Sequence, residues 1–457
     1  MELTTRIGVL EFTKEFEKGY PTPETVGKIY DAMDFQRACQ AYIWALPIVS
    51  SARWLEIDRD EHGAVMGDIV IRDSYDERRG MLTINDDTYY AFVTFDMNEK
   101  GSMVVEIPEG IDARGSAQDM WQVEVVKTAQ PGKYLIVAPG EDVPSDVSGY
   151  TVAESSTNGI IFGVLIFAET SEEKDAMAEQ ILIYPLAERD SKPTKTKLIR
   201  PTTSPIQAQP RGMRYWELLA ETLNNQPVAE RDRFFMAMLQ PLGIEKGKPF
   251  NPDARQREIL EEAALVGEAM AKAIQAEARM EAASYRPGSN WEIATTAETD
   301  QRLEFYDQLD GRAGWFYEAI TNTEAMRSRK PGRTQVYLGG YRDANGEPLL
   351  AEKNYTLTVP PNVPAATFWS LTVYDVDTRS LMDNATKTSS VGTVKGFEPN
   401  DDGSVTIYIG PDKPEAGEKN WIQPLPDTDW FAYFRLYSPT EGFFDGSWTL
   451  PDIEPAD

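Results

Sequence analysis

The chain has one cysteine and one histidine in 457 residues. Cys39 alone makes neither an internal disulfide nor a multi-cysteine zinc site. His62 alone excludes every metal site that needs two histidines, and it is the only base open to a His-assisted Ser or Cys triad. Positive charge is also scarce. Against 74 Asp+Glu stand 45 Lys+Arg, a net charge of −29. That field repels phosphate backbones, so no nucleic-acid partner is expected. No apolar run reaches the roughly 18 residues of a membrane span. The longest, Gly159 to Ala168, has the length of a strand. Met1 to Tyr20 lacks the apolar stretch of a signal peptide, which implies a cytoplasmic chain, or a periplasmic or secreted one whose leader was removed. P-loop, G-x-G-x-x-G and G-x-S-x-G motifs are missing. Any catalysis therefore falls to carboxylates, Tyr, Lys, Arg, Ser/Thr or a borrowed ion. No cofactor is called for, while a divalent cation such as calcium or magnesium is compatible with the composition.

What is present divides the chain into four parts. Residues 1–66 are helical, with apolar positions from Val26 to Leu46 at spacings of three and four and Pro47 expected to kink or end the helix. Residues 67–190 alternate like strands between Gly, Pro and Asp clusters, the pattern of an antiparallel sandwich. Thr170 and Glu173 form a capping-box pattern before a short helix. Residues 191–210 hold four Pro, four basic residues and no acid, and read as an extended surface connection. With 211–330 they make a linker and helical arm, whose clearest helix carries a stripe of small residues suited to close helix packing. Strands return over 331–457, with hairpin dipeptides at Asn345-Gly346 and Asp402-Gly403.

The two strand regions resemble each other in order. Residues 103–108 align with 355–360, 120–126 with 368–374 (Trp121 opposite Trp369), 134–140 with 405–411, and 164–170 with 435–441. The expected fold is α+β and multidomain: two antiparallel jelly-roll-like β-sandwich domains from a tandem duplication, plus a helical arm.

Three groups of residues offer chemistry. Asn85, Asp86, Asp87 and Thr88 precede a strand, where their oxygens suit either a cation or acid/base work, or simply an Asx-type turn. Alternation sends Asp86 and Asp87 to opposite faces, so at most one enters a given pocket. On the strand ending at Asp375, alternation separates Trp369, Leu371 and Val373 from Ser370, Thr372 and Tyr374. Asp375 and Asp377 then leave the strand end together with Arg379, as a structural clamp or a recognition point. Finally, Arg435 and Tyr437 share a face, and with Trp421 nearby they make either a packed core or an amphipathic pocket for a small polar or carbohydrate-like molecule. His62, in a run of charges, is expected at the surface, and Cys39 in an inert core.

The runs 30–47, 85–90 (NDDTYY), 368–379 (FWSLTVYDVDTR), 403–421 and 430–441 (WFAYFRLYSPTE) resemble a two-part bacterial family. Its N-terminal part is domain of unknown function 1254 and its C-terminal part domain of unknown function 1214. The resemblance covers nearly the whole chain and implies two jelly-roll-like sandwiches with a helical part. It implies no chemistry. Members often carry an export leader. The NDDT and FWS–YD runs recur as family signatures, which marks Asn85, Asp86, Thr88, Trp369, Tyr374 and Asp375. The family's usual run has Asn or a small residue near Asp86, which speaks against a metal role there.

The resulting expectation is a hydrolase-type enzyme using carboxylate acid/base chemistry on a small polar or carbohydrate-like substrate. Asp375 would be catalytic, and Arg379 or Arg435 would orient an anionic group. The alternative is a non-catalytic ligand-binding or envelope-associated module. Charge locates a self-association surface. Residues 67–190 carry a net −15 and residues 331–457 a net −10, whereas 191–330 are neutral. The helical arm is thus the part least opposed to forming a homo-oligomer.

Overall fold

A computed structural model describes residues 1–415 and 417–456. Strand alternation builds two pairs of sheets. In the N-terminal unit, a six-stranded sheet runs in the order Leu198–Ile199, Ile69–Arg72, Tyr90–Asp96, Gly159–Ile166, Ala113–Asp119, Glu124–Thr128. A four-stranded sheet runs Leu182–Pro185, Met103–Ile107, Gly132–Val137, Tyr150–Glu154. Val93, Phe95, Ile160 and Phe162 from the first sheet join Val105, Ile107 and Ile136 from the second in one buried cluster. Each such side chain contributes about 1.5–3 kcal/mol on burial.

The C-terminal unit repeats this plan. Its five-stranded sheet runs Trp291–Ile293, Gln335–Gly340, Trp430–Pro439, Ala365–Asp375, Ser390–Gly392. Its four-stranded sheet runs Glu454–Ala456, Asn354–Val359, Val405–Ile409, Trp421–Ile422. Leu338, Leu371, Val373 and Phe434 meet Leu357, Ile407 and Ile422 in its core. Leaving aside the edge strand Leu198–Ile199, the two units match strand for strand, in sheet order and in chain order. Even the one parallel pair inside each smaller sheet recurs: Gly132–Val137 with Tyr150–Glu154, and Val405–Ile409 with Trp421–Ile422.

Three of the four sequence matches fall on corresponding strands. The fourth does not. Residues 368–374 lie within Ala365–Asp375, whose counterpart is Ala113–Asp119. Residues 120–126 are the turn that follows and the start of the next strand, so Trp121 and Trp369 are not equivalent. Trp121 is buried against the helices, Trp369 in the C-terminal core.

The helix Pro23–Glu56 is capped by Thr22, whose Oγ1 accepts from the Thr25 N–H at 3.3 Å, with proline at the first helical position. It runs unbroken past Pro47, contrary to expectation. Ala41 to Ala52 are all buried, so this stretch has no solvent face and is held by packing on every side. One neighbour is the helix Ala254–Ala276. A methyl group at Gly267 would stand 2.5 Å from the Tyr42 ring, which is why that stripe is made of small residues. Apolar side chains of these helices share a cluster with Phe92 and Ile161 of the six-stranded sheet and with Tyr374, Phe431 and Tyr433 of the five-stranded one. The segment expected as a helical arm is packed on the second faces of both large sheets.

His62 is not free at the surface. Its Nε2 lies 3.1 Å from Arg72 Nη2, and burial followed by the Arg72 charge lowers its pKa to about 4. The connection 191–210 is only partly superficial. Leu198–Ile199 joins a sheet, and Gln207 and Gln209 are buried.

Candidate functional site

The site begins with strand alternation. On Ala365–Asp375, Trp369, Leu371 and Val373 enter the C-terminal core, so Ser370, Thr372 and Tyr374 face the other way. On the adjoining strand Arg435 pairs with Ser370, Tyr433 with Thr372 and Tyr437 with Phe368. Tyr337 pairs with Arg435 from the other side, and Ser390 with Thr372. One face of the sheet is thus hydroxyl-rich, with a guanidinium in its middle.

The N-terminal unit covers that face with the turn before Tyr90–Asp96. The Tyr374 hydroxyl donates to the Ile84 carbonyl at 2.7 Å, Arg435 Nη2 to the Thr83 carbonyl at 2.6 Å, and Asn85 Nδ2 to the Tyr437 hydroxyl at 2.9 Å. Four residues singled out from three distant stretches of sequence, Asn85, Tyr374, Arg435 and Tyr437, therefore meet. Asp86 is also there, with its side chain 2% exposed, but it is fully engaged. It pairs with Lys395, accepts from Ser390 Oγ at 3.2 Å, and has Arg78 Nη1 at 3.8 Å.

Asp87 differs. Its backbone N–H is tied to Asn85 Oδ1 at 2.9 Å, and both its carboxylate oxygens are buried with no hydrogen-bond partner. Burial raises its pKa, while Lys395, Arg78 and Arg435 oppose the rise. Thr88 Oγ1, Ser370 Oγ, Thr372 Oγ1 and Arg435 Nη1 are likewise buried and unpartnered. The Arg435 guanidinium stands 5.1–5.5 Å from the ring centres of Tyr433, Tyr337 and Tyr374. Toward the surface the cluster is bordered by partly exposed Thr88, by Lys395 with 30% of its side chain exposed, and by Phe368 stacked on Tyr437 at 4.0 Å. Unsatisfied buried polar groups are costly. Here donors and acceptors of both signs converge beside an aromatic pair, the mixture that orients small polar ligands.

The other expected residues lie elsewhere. Asp375 caps its own turn, accepting from Thr378 N at 2.6 Å and from Thr378 Oγ1. Arg379 makes no clamp with it. Its guanidinium lies over the Tyr317 ring at 4.2 Å and donates to Gln209 Oε1 at 2.8 Å and to the carbonyls of Tyr317 and Asp377. It borders a groove of about 470 Å³ shared with Arg53, Arg211 and Arg214. Trp369 is core. Trp421 belongs to the smaller sheet, with its indole N–H on the Gly410 carbonyl at 3.0 Å, and so takes no part in the Arg435 face. Among the described residues no three His, Cys, Asp or Glu side chains gather as a metal site, and no helix is long and apolar enough to cross a membrane.

Comparison with known proteins agrees with this two-unit organisation. The family model "Protein of unknown function (DUF1254)" matches residues 69–185, and "Protein of unknown function (DUF1214)" matches residues 334–441. No curated protein matches the chain. Among solved structures, the VPA0106 protein from Vibrio parahaemolyticus is similar at 19% identity and a TM-score of 0.53, over 93% of this chain and 100% of that one. A putative uncharacterized protein from Burkholderia cenocepacia is similar at 11% identity and a TM-score of 0.38, over 94% and 96%. The first likeness is one of fold.

Proposed function

We propose, for a chain that carries a DUF1254 part followed by a DUF1214 part, that the face around Asp87 and Arg435 binds a small, carbohydrate-like molecule bearing an anionic group. The carboxylate acid/base role expected of Asp375 passes to Asp87. The observation that carries this reading is a buried carboxylate with both oxygens unpartnered in the same cluster as an unpartnered guanidinium nitrogen. Arg435 Nη1 would hold the anionic group. Asp87, its carboxyl raised by burial, would exchange a proton with a substrate oxygen. In a hydrolysis it would take a proton from the attacking water and return it to the leaving oxygen.

Each pair of sheets is read as a jelly-roll-like sandwich, and the two units as a duplication in which one copy became the site and the other its support. The strand-for-strand correspondence supports this. So does the contrast between the two faces: the N-terminal unit sets Phe92 and Ile161 among the helices, with Trp54 edge-on to Phe92 at 4.7 Å, whereas the C-terminal face adds Ser370, Thr372 and Arg435 to its aromatic Tyr374, Phe431 and Tyr433. A homo-oligomer through the helical segment is supported by its neutral charge and by exposed Phe234, Phe305 and Tyr306. Sedimentation as a strict monomer at micromolar concentration removes that part.

Titration calorimetry with D-gluconate and D-glucuronate tests the site. Binding should weaken at least tenfold in Asp87→Asn and Arg435→Met and persist in Asp375→Asn. Undiminished binding in Asp87→Asn, or no binding to the wild-type chain, overturns it.

A further inference from the structure

A second set of unpartnered polar atoms lies where the helices meet the N-terminal unit, and the reading above does not use it. Arg312, on the helix Leu309–Glu318, is 1% exposed, yet its Nε and Nη2 meet no acceptor. These two nitrogens form one edge of the guanidinium, the fork that grips a carboxylate through two parallel hydrogen bonds. The Trp121 ring centre is 5.4 Å from the guanidinium carbon.

The neighbours of Arg312 supply the complementary half. Asp232 accepts from Trp44 Nε1 at 3.3 Å through Oδ1, leaving Oδ2 buried and unpartnered. Gln301, 0% exposed, donates through Nε2 to the Trp121 carbonyl at 2.7 Å, which leaves its Oε1 free. Aromatic rings pack alongside: Trp44 lies 4.7 Å from Trp121 and stacks on Phe235 at 4.8 Å. Burial, followed by the like charge of Arg231, lowers the Arg312 pKa to about 9. Burial raises that of Asp232 against the pull of Arg231, whose Nε stands 3.7 Å from Asp232 Oδ1, and of Arg312. A buried guanidinium with two idle donors is among the costliest arrangements a fold can keep.

We propose that this cluster of buried, unpartnered polar atoms is a second binding site, for a small organic acid that also carries a hydroxyl or amino donor. Its carboxylate engages Arg312 Nε and Nη2. Its donor reaches Asp232 Oδ2 and Gln301 Oε1. The apolar remainder lies along Trp121 and Trp44. The site is separate from the Asp87–Arg435 face and stands whether or not that face binds anything.

Trp44 and Trp121 give the test its signal. Titrating the full-length protein with L-malate should produce a saturable change in tryptophan emission. The midpoint should shift at least tenfold in Arg312→Met and stay unchanged in Asp87→Asn, which separates this site from the other. If Arg312→Met does not fold, Asp232→Asn serves, with a weaker midpoint expected. A crystal soaked in L-malate should show the acid between Arg312 and Asp232. No saturable change in the wild-type protein, an unshifted midpoint in the variant, or water alone in the soaked crystal overturns the proposal.

Discussion

The Tyr374 hydroxyl donates to the Ile84 carbonyl at 2.7 Å, across 290 residues of sequence. A strand of the C-terminal unit is thereby fastened to the turn that delivers Asn85, Asp86 and Asp87. The same hydroxyl lies 3.2 Å from the Thr83 carbonyl, which also accepts from Arg435. Tyr374→Phe keeps the ring and removes the donor. It should cost about 1–2 kcal/mol in denaturant unfolding, the price of leaving a buried carbonyl short of a partner. Ligand affinity should fall as well, because the turn carrying Asp87 loses an anchor. A variant as stable as wild type would show that the two units are held by other contacts.

The two candidate carboxylates are separable. Asp375 is satisfied by Thr378 and holds a turn in which Arg379 takes a left-handed φ of 56°. Asp375→Ala removes both acceptors and should cost about 1–2 kcal/mol, with binding retained by the folded fraction. Asp87→Asn removes a buried charge that no hydrogen bond satisfies, so its stability should stay within about 0.5 kcal/mol of wild type or rise, while binding is lost. Paired melts and titrations read both effects. The opposite pattern would return the catalytic assignment to Asp375.

Much of this was legible in the sequence because period-two alternation is a local property. It placed Trp369 opposite in sense to Tyr374, and it grouped Arg435 with Tyr437. The family resemblance marked Asn85 and Tyr374. Alternation could not decide which of Asp86 and Asp87 is left unsatisfied, since that depends on Lys395, Ser390 and Arg78, all distant in sequence from Asp87 or on another turn of the chain. Trp421 was misjudged for the same kind of reason: closeness in sequence to Arg435 says nothing about which sheet a strand joins. Pro47 misled because local propensity is overridden where a helix is packed on all sides. Helix periodicity likewise gave no sign that Arg312 would be buried with idle donors, because an arginine on a helix that also carries Asp310 and Glu318 reads as solvated.

Asp58 and Arg72 form an ion pair at 3.3 Å with side chains 0% and 1% exposed. Arg72 also donates to the Glu77 carbonyl at 2.9 Å and so ties the end of its strand to the helical turn Tyr75–Arg78. Burial raises the Asp58 pKa to about 6, although Arg72 and Thr94 work against it. Asp58→Ala strands the guanidinium and should cost about 3–5 kcal/mol. The double variant Asp58→Ala with Arg72→Met should recover part of that loss, because it removes both buried charges. Chemical denaturation of the three variants completes the cycle. A double variant no better than Asp58→Ala alone would mean that lost packing dominates, not the unpaired charge.

Glu318 gives the fold a pH dependence of known direction. It is buried between the helices and the five-stranded sheet, where the hydroxyls of Tyr341 and Tyr433 each donate to Oε2 at 2.8 Å. Burial nevertheless raises its pKa from 4.5 to about 7. The folded chain then keeps a proton that the unfolded chain releases above pH 4.5. The stabilisation from that proton is complete below pH 4.5, declines as the pH rises, and is lost once the pH passes about 7. The whole swing is on the order of 3 kcal/mol. Glu318→Gln is neutral throughout and still offers an oxygen to both tyrosines. Its melting temperature should vary less than that of wild type between pH 4.5 and 7, and at pH 8 it should equal or exceed wild type. Melts of the two proteins across that interval decide the matter, since the remaining titrating groups are common to both. An unchanged slope in the variant would show that Glu318 does not titrate there. The Tyr433 ring, which holds Glu318 on one side, also stands beside Arg435, so the same variant should reduce the pH dependence of anionic-ligand affinity over this range to the part that Asp87 supplies.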